Sequence, residues 1–417
     1  MEQKMKAVVL HAPGEYQVEL VDIPQPGYNE VLVEIRSIAI CGSDPGIFAG
    51  KVRKDGWPPH YPFIAGHEFA GRVAAIGEGV SNLKPGDRVA GEAHSGCGTC
   101  EMCKQGLYNL CMNYGHSGHH HYGHAHPGCY AQYQVYDQKA LTVMPENVTY
   151  DEGAMIDTGG TAFNGIRLIG IVPGGWTAVI GPGPMGILLA QMAKAMGSKT
   201  IVIGYRDHDR LSVARELGVD HTIETTEVAD VVEEVRRLTG GRGADRSFDC
   251  AGAGDTLDEL IRMTAKNGKV GVIAYPKVPT TQEALYYMVK NQITVQGVRA
   301  NPNCSLPLLG MIGHGKVNAR RLVTHTFPIE PQRERLVSLK AAAEQKRPLS
   351  TIRTARSRWS SIPTARRKTN DLVYFEGAEM RGGAGRPKTG PTGARGAGPY
   401  PLCRHLRLGY PSVQRHL

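Results

Sequence analysis

The chain has 417 residues, 41% hydrophobic and 21% charged, with nine cysteines and a formal net charge of +9. That length supports two or three domains with a sizeable core, and no uninterrupted apolar run is long enough to span a bilayer. The positive charge is concentrated late. Residues 331–417 hold 18 Lys+Arg against 5 Asp+Glu, and this +13 against the chain's +9 leaves residues 1–330 at −4. The body therefore gives no reason to infer nucleic-acid binding.

The first sixteen residues, MEQKMKAVVLHAPGEY, carry no apolar signal core, which predicts a cytoplasmic protein. Short strands are expected at Lys6–Leu10, Val31–Ala39, Gly71–Ile76 and Asp87–Ala90, bounded by turn signals such as Pro26-Gly27 and Pro85-Gly86. That pattern predicts a β-rich, partly barrel-like domain over 1–154. Within it Cys97, Cys100, Cys103 and Cys111 are spaced C-x2-C-x2-C-x7-C. Four thiols closing one short loop fit a tetrahedral structural zinc in a lobe at about 94–112, because thiolates prefer borderline metals and a filled site leaves no position for substrate. A disulfide cluster is the other reading of the spacing, and nothing else in the chain points to an oxidising compartment. Directly after the lobe come His116, His119, His120, His121, His124 and His126. This stretch is expected to be a variable polar surface loop, solvated or binding metal adventitiously. His94, just before the lobe, is given no role.

From about residue 175 strands alternate with helices: Thr177–Ile180, helix Pro184–Met196, Thr200–Ile203, helix Asp209–Leu217, then strands near Ser247–Cys250, Lys269–Ala274 and Ile293–Val298. Such alternation implies a doubly wound parallel sheet covered on both faces. Gly181, Gly183, Pro184, Met185 and Gly186 complete G-x-G-x-x-G after the first of these strands and open its helix. The first glycine permits the tight turn, the second lets the backbone approach a pyrophosphate, and the third lets helix and strand pack closely. Free N–H groups at the helix start then face the phosphates. The second strand ends Gly204-Tyr205-Arg206-Asp207, with Tyr205 where a ribose-binding acid is expected in a NAD site. Losing that carboxylate removes repulsion against a 2′-phosphate, and Arg206 can pair with one bidentately, which predicts NADP in preference to NAD.

Cys41-Gly42-Ser43-Asp44, Gly66-His67-Glu68, the cysteine quartet, Asp157 and the glycine loop occur in that order. Together they resemble the medium-chain zinc-dependent alcohol and polyol dehydrogenases, over about residues 5–330. The resemblance implies a GroES-like catalytic domain (1–154), a Rossmann domain (155–298), a return segment (299–330) and a homodimer or homotetramer. It implies two zinc ions per chain, the catalytic one held by Cys41, His67 and Asp157, with Asp157 ahead of a helix at Thr161–Leu168. Ser43 matches the proton-relay hydroxyl, Asp44 the carboxylate that orients His67, and Glu68 the acid behind the metal. Where relatives often carry an outer relay histidine, this chain reads Pro45-Gly46-Ile47-Phe48, and the last leg falls to water, the ribose or another histidine such as His60. The implied activity is reversible oxidation of a secondary alcohol or polyol to a ketone with NAD or NADP. Alternatives are a zinc-free quinone-reductase-like enzyme, against which Cys41, His67 and the quartet speak, a catalytically impaired zinc-stabilised scaffold, and a nucleic-acid binder acting through its tail.

The resemblance stops at Pro331. Residues 331–417 hold 14 Arg against 4 Lys with almost no apolar periodicity beyond Leu336–Ala343. They read as a low-order basic tail, either a frameshifted segment that removes the closing strand of the catalytic domain or a genuine disordered extension.

Overall fold

The computed structural model describes residues 4–52, 56–116, 118–328 and a four-residue strand at 371–374. Strands β1 (Lys4–Ala12) and β2 (Glu15–Asp22) form an antiparallel hairpin. Strand β3 (Glu30–Ile40) leads into the short helix α1 (Asp44–Phe48), and β4 (Glu68–Ile76) and β5 (Arg88–Gly91) follow. The cysteine lobe is framed by β6 (His94–Ser95), helix α2 (Glu101–Lys104) and β7 (His120–His121); β8 (Tyr133–Asp137) and β9 (Leu141–Val143) close the region. β3 pairs antiparallel with both β4 and β8, β4 with β5, and β5 with β9. Val31, Val33 and Ile35 of β3 are fully buried, and Phe69 stacks on Tyr136 with centroids 4.1 Å apart. β-Branched and aromatic side chains of this kind suit a pleated, buried surface.

Helix α3 (Tyr150–Ala154) starts with a capping box between Thr149 and Glu152, and α4 (Ile156–Ile169) follows almost head to tail. The sequence predicted α4 only from Thr161, because Gly159-Gly160 are poor helix formers. Their purpose is contact: a Cβ on Gly159 would lie 2.6 Å from Leu308 Cδ2, and one on Gly160 2.8 Å from Asn301 Cβ.

The second half alternates β10 (Trp176–Ile180), α5 (Pro184–Ala195), β11 (Lys199–Gly204), α6 (His208–Glu216), β12 (His221–Glu224), α7 (Val231–Leu238), β13 (Ala244–Asp249), α8 (Thr256–Met263), β14 (Thr264–Val272), α9 (Gln282–Lys290) and β15 (Thr294–Gly297). All its strand pairs are parallel, in the order β12-β11-β10-β13-β14-β15. That is the doubly wound dinucleotide-binding order, whose ligand crevice opens between the first and fourth strands, here β10 and β13. One core cluster runs from Ala39, Ala70 and Ala90 of the β-rich region through Ile156 and Ile166 to Leu188 and Phe248 under the parallel sheet. The two halves therefore share apolar packing. Helix α10 (Ser305–Gly313) packs on α4, and β16 (His325–Pro328) returns the chain to the first sheet.

Strand β17 (Asp371–Tyr374) differs from the expectation that this sheet lacks a closing segment. It pairs antiparallel with β16 and parallel with β3, Asp371 opposite Ser37 and Tyr374 opposite Ile40. Leu372-Val373-Tyr374 is a local run of strand formers inside otherwise Arg- and Gly-heavy text. The remainder of 331–417, with the disorder and frameshift expected there, lies outside the described residues. Among the described residues no helix is long and apolar enough to cross a membrane.

Candidate active site

The cysteine lobe is the simplest part of the site. All four thiols are free, and their sulfurs lie within 4.8 Å of one another. Cys97 and Cys103 are 3.9 Å apart, as are Cys100 and Cys111, far beyond a disulfide bond. The edge of a tetrahedron with zinc–sulfur bonds of about 2.3 Å is about 3.8 Å, so the donors fit that metal. Cys97 accepts from Thr99 Oγ1, Cys100 N–H and Asn113 Nδ2, each at 3.4 Å. The Thr99 bonds, more than any other contact, lower its pKa to about 5, the direction a thiolate ligand needs.

The lobe is also tied to the chain leaving the parallel sheet. Asn109 Nδ2 donates to the Arg299 carbonyl (2.7 Å), Asn303 Nδ2 donates to the Gly106 carbonyl (2.9 Å), and the Asn303 N–H donates to Tyr108 Oη (2.7 Å). Buried Glu92 accepts from the Tyr108 hydroxyl at 2.5 Å and from the Ser305 hydroxyl. Burial raises the Glu92 pKa to about 7 against those two bonds. Sequence reasoning missed Glu92 and Tyr108, since no local pattern links positions this far apart.

Cys41 follows β3 and His67 precedes β4, and the pairing of these strands brings the two together. Donor atoms of Cys41, His67 and Glu68 lie within 4.8 Å of one another. His67 Nδ1 faces Asp44 Oδ1 at 3.7 Å, and Nε2 faces Glu68 Oε1 at 4.0 Å. Asp44 is fixed in turn: its Oδ2 accepts from the Cys41 N–H and the Tyr130 hydroxyl, both at 2.8 Å. Burial pushes the Cys41 thiol up to about 11, helped by the charge of Asp44, while the Ser43 hydroxyl beside it opposes the shift. Burial alone would lower the His67 pKa; the carboxylates of Asp44, Asp157 and Glu68 outweigh it and raise it. The thiol and carboxylates gathered around His67 in a dry site are mutually unfavourable as anions, and a divalent cation resolves that conflict.

Asp157, expected as the third ligand, stands in the first turn of α4 rather than ahead of the helix. It is close enough to raise the His67 pKa but is not in the tight group, and its Oδ1 accepts from the Ala93 N–H at 3.1 Å. Glu68 is in the group, and its Oε1 accepts from Thr158 Oγ1 at 2.7 Å. His60 is exposed, with Nδ1 3.2 Å from the Pro62 carbonyl. The histidine against His67 is His124, with centroids 4.5 Å apart.

The expectation of a solvated histidine loop fails. His119, His121 and His124 are 1%, 5% and 6% exposed, and only His116 of the six is exposed. Strand β7 pairs with β6, which turns the loop inward, and Trp57 packs edge-on against His121 and His124. Burial lowers the pKa of all three rings, to about 4 for His119, so they are buried as neutral groups.

At the dinucleotide loop the three glycines differ as their roles require. Gly181 has φ +104°, and a Cβ on it would lie 3.0 Å from Ala251 N. A Cβ on Gly186 would lie 2.0 Å from the Gly181 carbonyl oxygen, whereas one on Gly183 meets nothing within 4 Å. Gly183 caps α5, with Pro184 and Met185 opening its first turn, so the open side lies where pyrophosphate would meet free N–H groups. Tyr205 is 54% exposed, and the Arg206 guanidinium lies 5.3 Å from the centre of its ring. Arg206 takes φ +56°, held by Glu224, which accepts its N–H at 2.7 Å and that of Asp207 at 2.8 Å. Asp207 accepts from Arg210 at 2.9 Å.

Two family models match: the alcohol dehydrogenase GroES-like domain over residues 27–146 and the zinc-binding dehydrogenase over 184–306. A sorbitol dehydrogenase of Halalkalibacterium halodurans is 35% identical over 333 residues, 78% of this chain and 93% of the relative. A sorbitol dehydrogenase of Bacillus subtilis is 31% identical over 331 residues, 79% of this chain and 91% of the relative. Among solved structures, the alcohol dehydrogenase of Thermus sp. ATN1 superposes with a TM-score of 0.72 at 26% identity, covering 89% of this chain and 99% of that one. Together with the buried Cys41–His67 cluster, the cysteine lobe and the glycine loop, these matches establish that the chain belongs to the medium-chain zinc-dependent alcohol and polyol dehydrogenases.

Proposed function

We propose that this zinc-dependent oxidoreductase converts a secondary alcohol or polyol to its ketone, uses NADP in preference to NAD, and binds two zinc ions per chain. The observation that carries the reading is the gathering of Cys41, His67 and Glu68 within 4.8 Å beside Asp44 and Asp157. When bound, zinc supplies a Lewis acid that makes a substrate hydroxyl easier to deprotonate, and the nicotinamide supplies the hydride acceptor. Cys41 and His67 hold the catalytic ion, and the cysteine quartet holds the structural one. Two carboxylates compete for the third position: Glu68, favoured by its place in the tight group, and Asp157, favoured by the family resemblance. Asp44 fixes His67 by facing Nδ1, and Ser43 Oγ, beside the Cys41 sulfur, takes the substrate proton while passing its own hydroxyl proton on to water or the cofactor ribose. Gly181, Gly183 and Gly186 shape the turn that receives the pyrophosphate. Arg206, set by Glu224, supplies the charge for a 2′-phosphate, while Arg210 occupies the neighbouring Asp207. The protein acts as a homodimer or homotetramer.

A panel of secondary alcohols and polyols run with NAD and with NADP, with zinc quantified on the same preparation, tests the reading. Turnover with about two zinc ions per chain and higher catalytic efficiency with NADP is expected. At most one tightly bound zinc rejects the two-site assignment, and equal or better efficiency with NAD rejects the cofactor preference.

A further inference from the structure

The chain that leaves the parallel sheet after β15 is fixed from two sides over residues 299–305. Asn109 and Asn164, both buried, donate to the Arg299 carbonyl at 2.7 and 3.2 Å, and Asn164 also donates to the Ala300 carbonyl at 2.9 Å. Tyr108 Oη accepts the Asn303 N–H at 2.7 Å, and the Ser305 hydroxyl donates to Glu92. Two non-glycine residues, Ala300 at φ +50° and Asn303 at φ +59°, are held in the left-handed region, which persists only where the surroundings enforce it. Between them this clamped turn buries one side chain, Asn301, at 1% exposure.

Asn301 lies against the start of α4. A Cβ on Gly160 would be 2.8 Å from Asn301 Cβ and 3.1 Å from its Nδ2, so the glycine is the notch that admits the amide. Asp157, Gly160 and Asn164 are spaced i, i+3 and i+7, which places them on one face of the helix, the face turned to this segment. Burial raises the Asp157 pKa; the charge of His67, the Ala93 N–H and the Asn301 side chain work against that rise, so the amide stands beside the carboxylate. Nδ2 nevertheless makes no hydrogen bond of ordinary geometry among the described residues. The turn itself has no use for the amide, because the Asn301 carbonyl already accepts the Cys304 N–H at 3.1 Å. A buried donor without a bond is costly, and an apolar side chain of the same shape would fill the notch without that cost. The asparagine therefore answers to the acid beside it.

We propose that Asn301 is a positioning residue: its amide holds the Asp157 carboxylate in place beside His67, so that one wall of the catalytic cluster is set by a side chain delivered from the segment leaving the nucleotide-binding sheet. The inference rests on the dehydrogenase reading and deepens it. Groups behind a metal site orient its donors, and their loss typically costs about tenfold to a hundredfold in metal affinity or activity.

The test is a double-mutant cycle of Asn301→Leu with Asp157→Asn, since leucine keeps the branching of asparagine without its donor. Affinity for the catalytic zinc is read by competition with a chelator, the donor geometry by the visible absorption of the cobalt-substituted enzyme, and kcat and KM on a secondary alcohol. Asn301→Leu should weaken the catalytic zinc by about tenfold to a hundredfold, shift the cobalt band and lower kcat, with the KM for cofactor within about twofold and the structural zinc retained. On the Asp157→Asn background the same change should cost less than about twofold, because the carboxylate it acts through is gone. Losses that add across the cycle mean that Asn301 acts through packing and overturn the role. Unchanged zinc affinity and cobalt absorption in Asn301→Leu overturn it equally. Melting temperature checks that the variant folds; if it does not, Asn301→Ala, which leaves the Gly160 notch open, takes its place in the cycle. A coupled loss of zinc affinity in a protein that turns over no alcohol even when unmutated supports the role of Asn301 and rejects the dehydrogenase reading instead.

Discussion

The cysteine quartet draws its four thiols from fifteen consecutive residues, and three of them stay partly exposed. The cluster around His67 draws on positions from 41 to 157, with Asp44, His67 and Glu68 all 4% exposed or less. The first is a local clasp whose geometry follows from one loop. The second exists only when β3, β4 and α4 are packed, and its carboxylates crowd one another until a cation arrives. Loss of a donor should therefore harm different things in the two places: stability at the lobe, chemistry at the buried cluster.

The sharpest contrast comes from Cys41→Ala against Cys100→Ser. Cys41→Ala should cut kcat/KM by roughly a thousandfold or more while the melting temperature moves little, because the metal position for substrate is lost but the surrounding packing stays. Equal thermal losses in the two variants would erase the distinction. Cys100→Ser should lower the melting temperature by on the order of 10 °C and halve the zinc content, since three thiolates no longer close a tetrahedron. Because the lobe bonds to Arg299, Asn303 and, through Glu92, Ser305, this variant should also expose 299–305 to faster amide exchange.

A finer cut separates the two carboxylates. Of Glu68→Gln and Asp157→Asn, the variant with the weaker catalytic zinc, read by competition with a chelator, identifies the third ligand. Zinc affinity unchanged from the unmutated enzyme in both would show that neither carboxylate completes the set. Away from the metals, Arg206→Ala should raise the KM for NADP about tenfold to a hundredfold and leave that for NAD nearly unchanged. A parallel rise in both would mean that Arg206 shapes the turn and does not read the phosphate.

The smallest expected effect is a control for burial alone. Glu259 lies far from both clusters in sequence, and burial raises its pKa to about 7, with Asp255 and Asp230 adding to the shift and Arg262 opposing it. The folded chain then keeps a proton that the unfolded chain loses above its ordinary value of 4.5, so stability falls as pH climbs from about 4.5 to about 7. Glu259→Gln should raise the melting temperature at pH 8 but not at pH 4. A gain of the same size at both would place the effect in packing.

What the sequence made legible was what lies within a few residues of itself. The quartet and the Gly181–Gly186 turn carry their meaning in spacing, because the same short segment supplies both donor and geometry. Cys41 and His67 were legible only through motifs, and the rank of Glu68 against Asp157 depends on how α4 sits over β4. The histidine loop misled because composition marks His-Gly text as surface. Its burial depends on Trp57 and His67, more than fifty residues upstream, and on rings that stay neutral. Glu224 was not read, since the amides it holds belong to Arg206 and Asp207, eighteen and seventeen residues earlier. The start of α4 was masked by glycines whose reason is Leu308 and Asn301.

Strand β17 has a consequence in time as well as in space. β3 is made among the first forty residues, yet one of its partners is Asp371–Tyr374. During synthesis the lower half of β3 must wait, its edge unpaired, while the whole parallel sheet is made and folds. Contacts of such sequence separation form last and slowly. A nascent chain of this protein thus carries an open strand edge for most of its production, the interval in which chaperones, or another nascent copy, have their best opportunity to bind it.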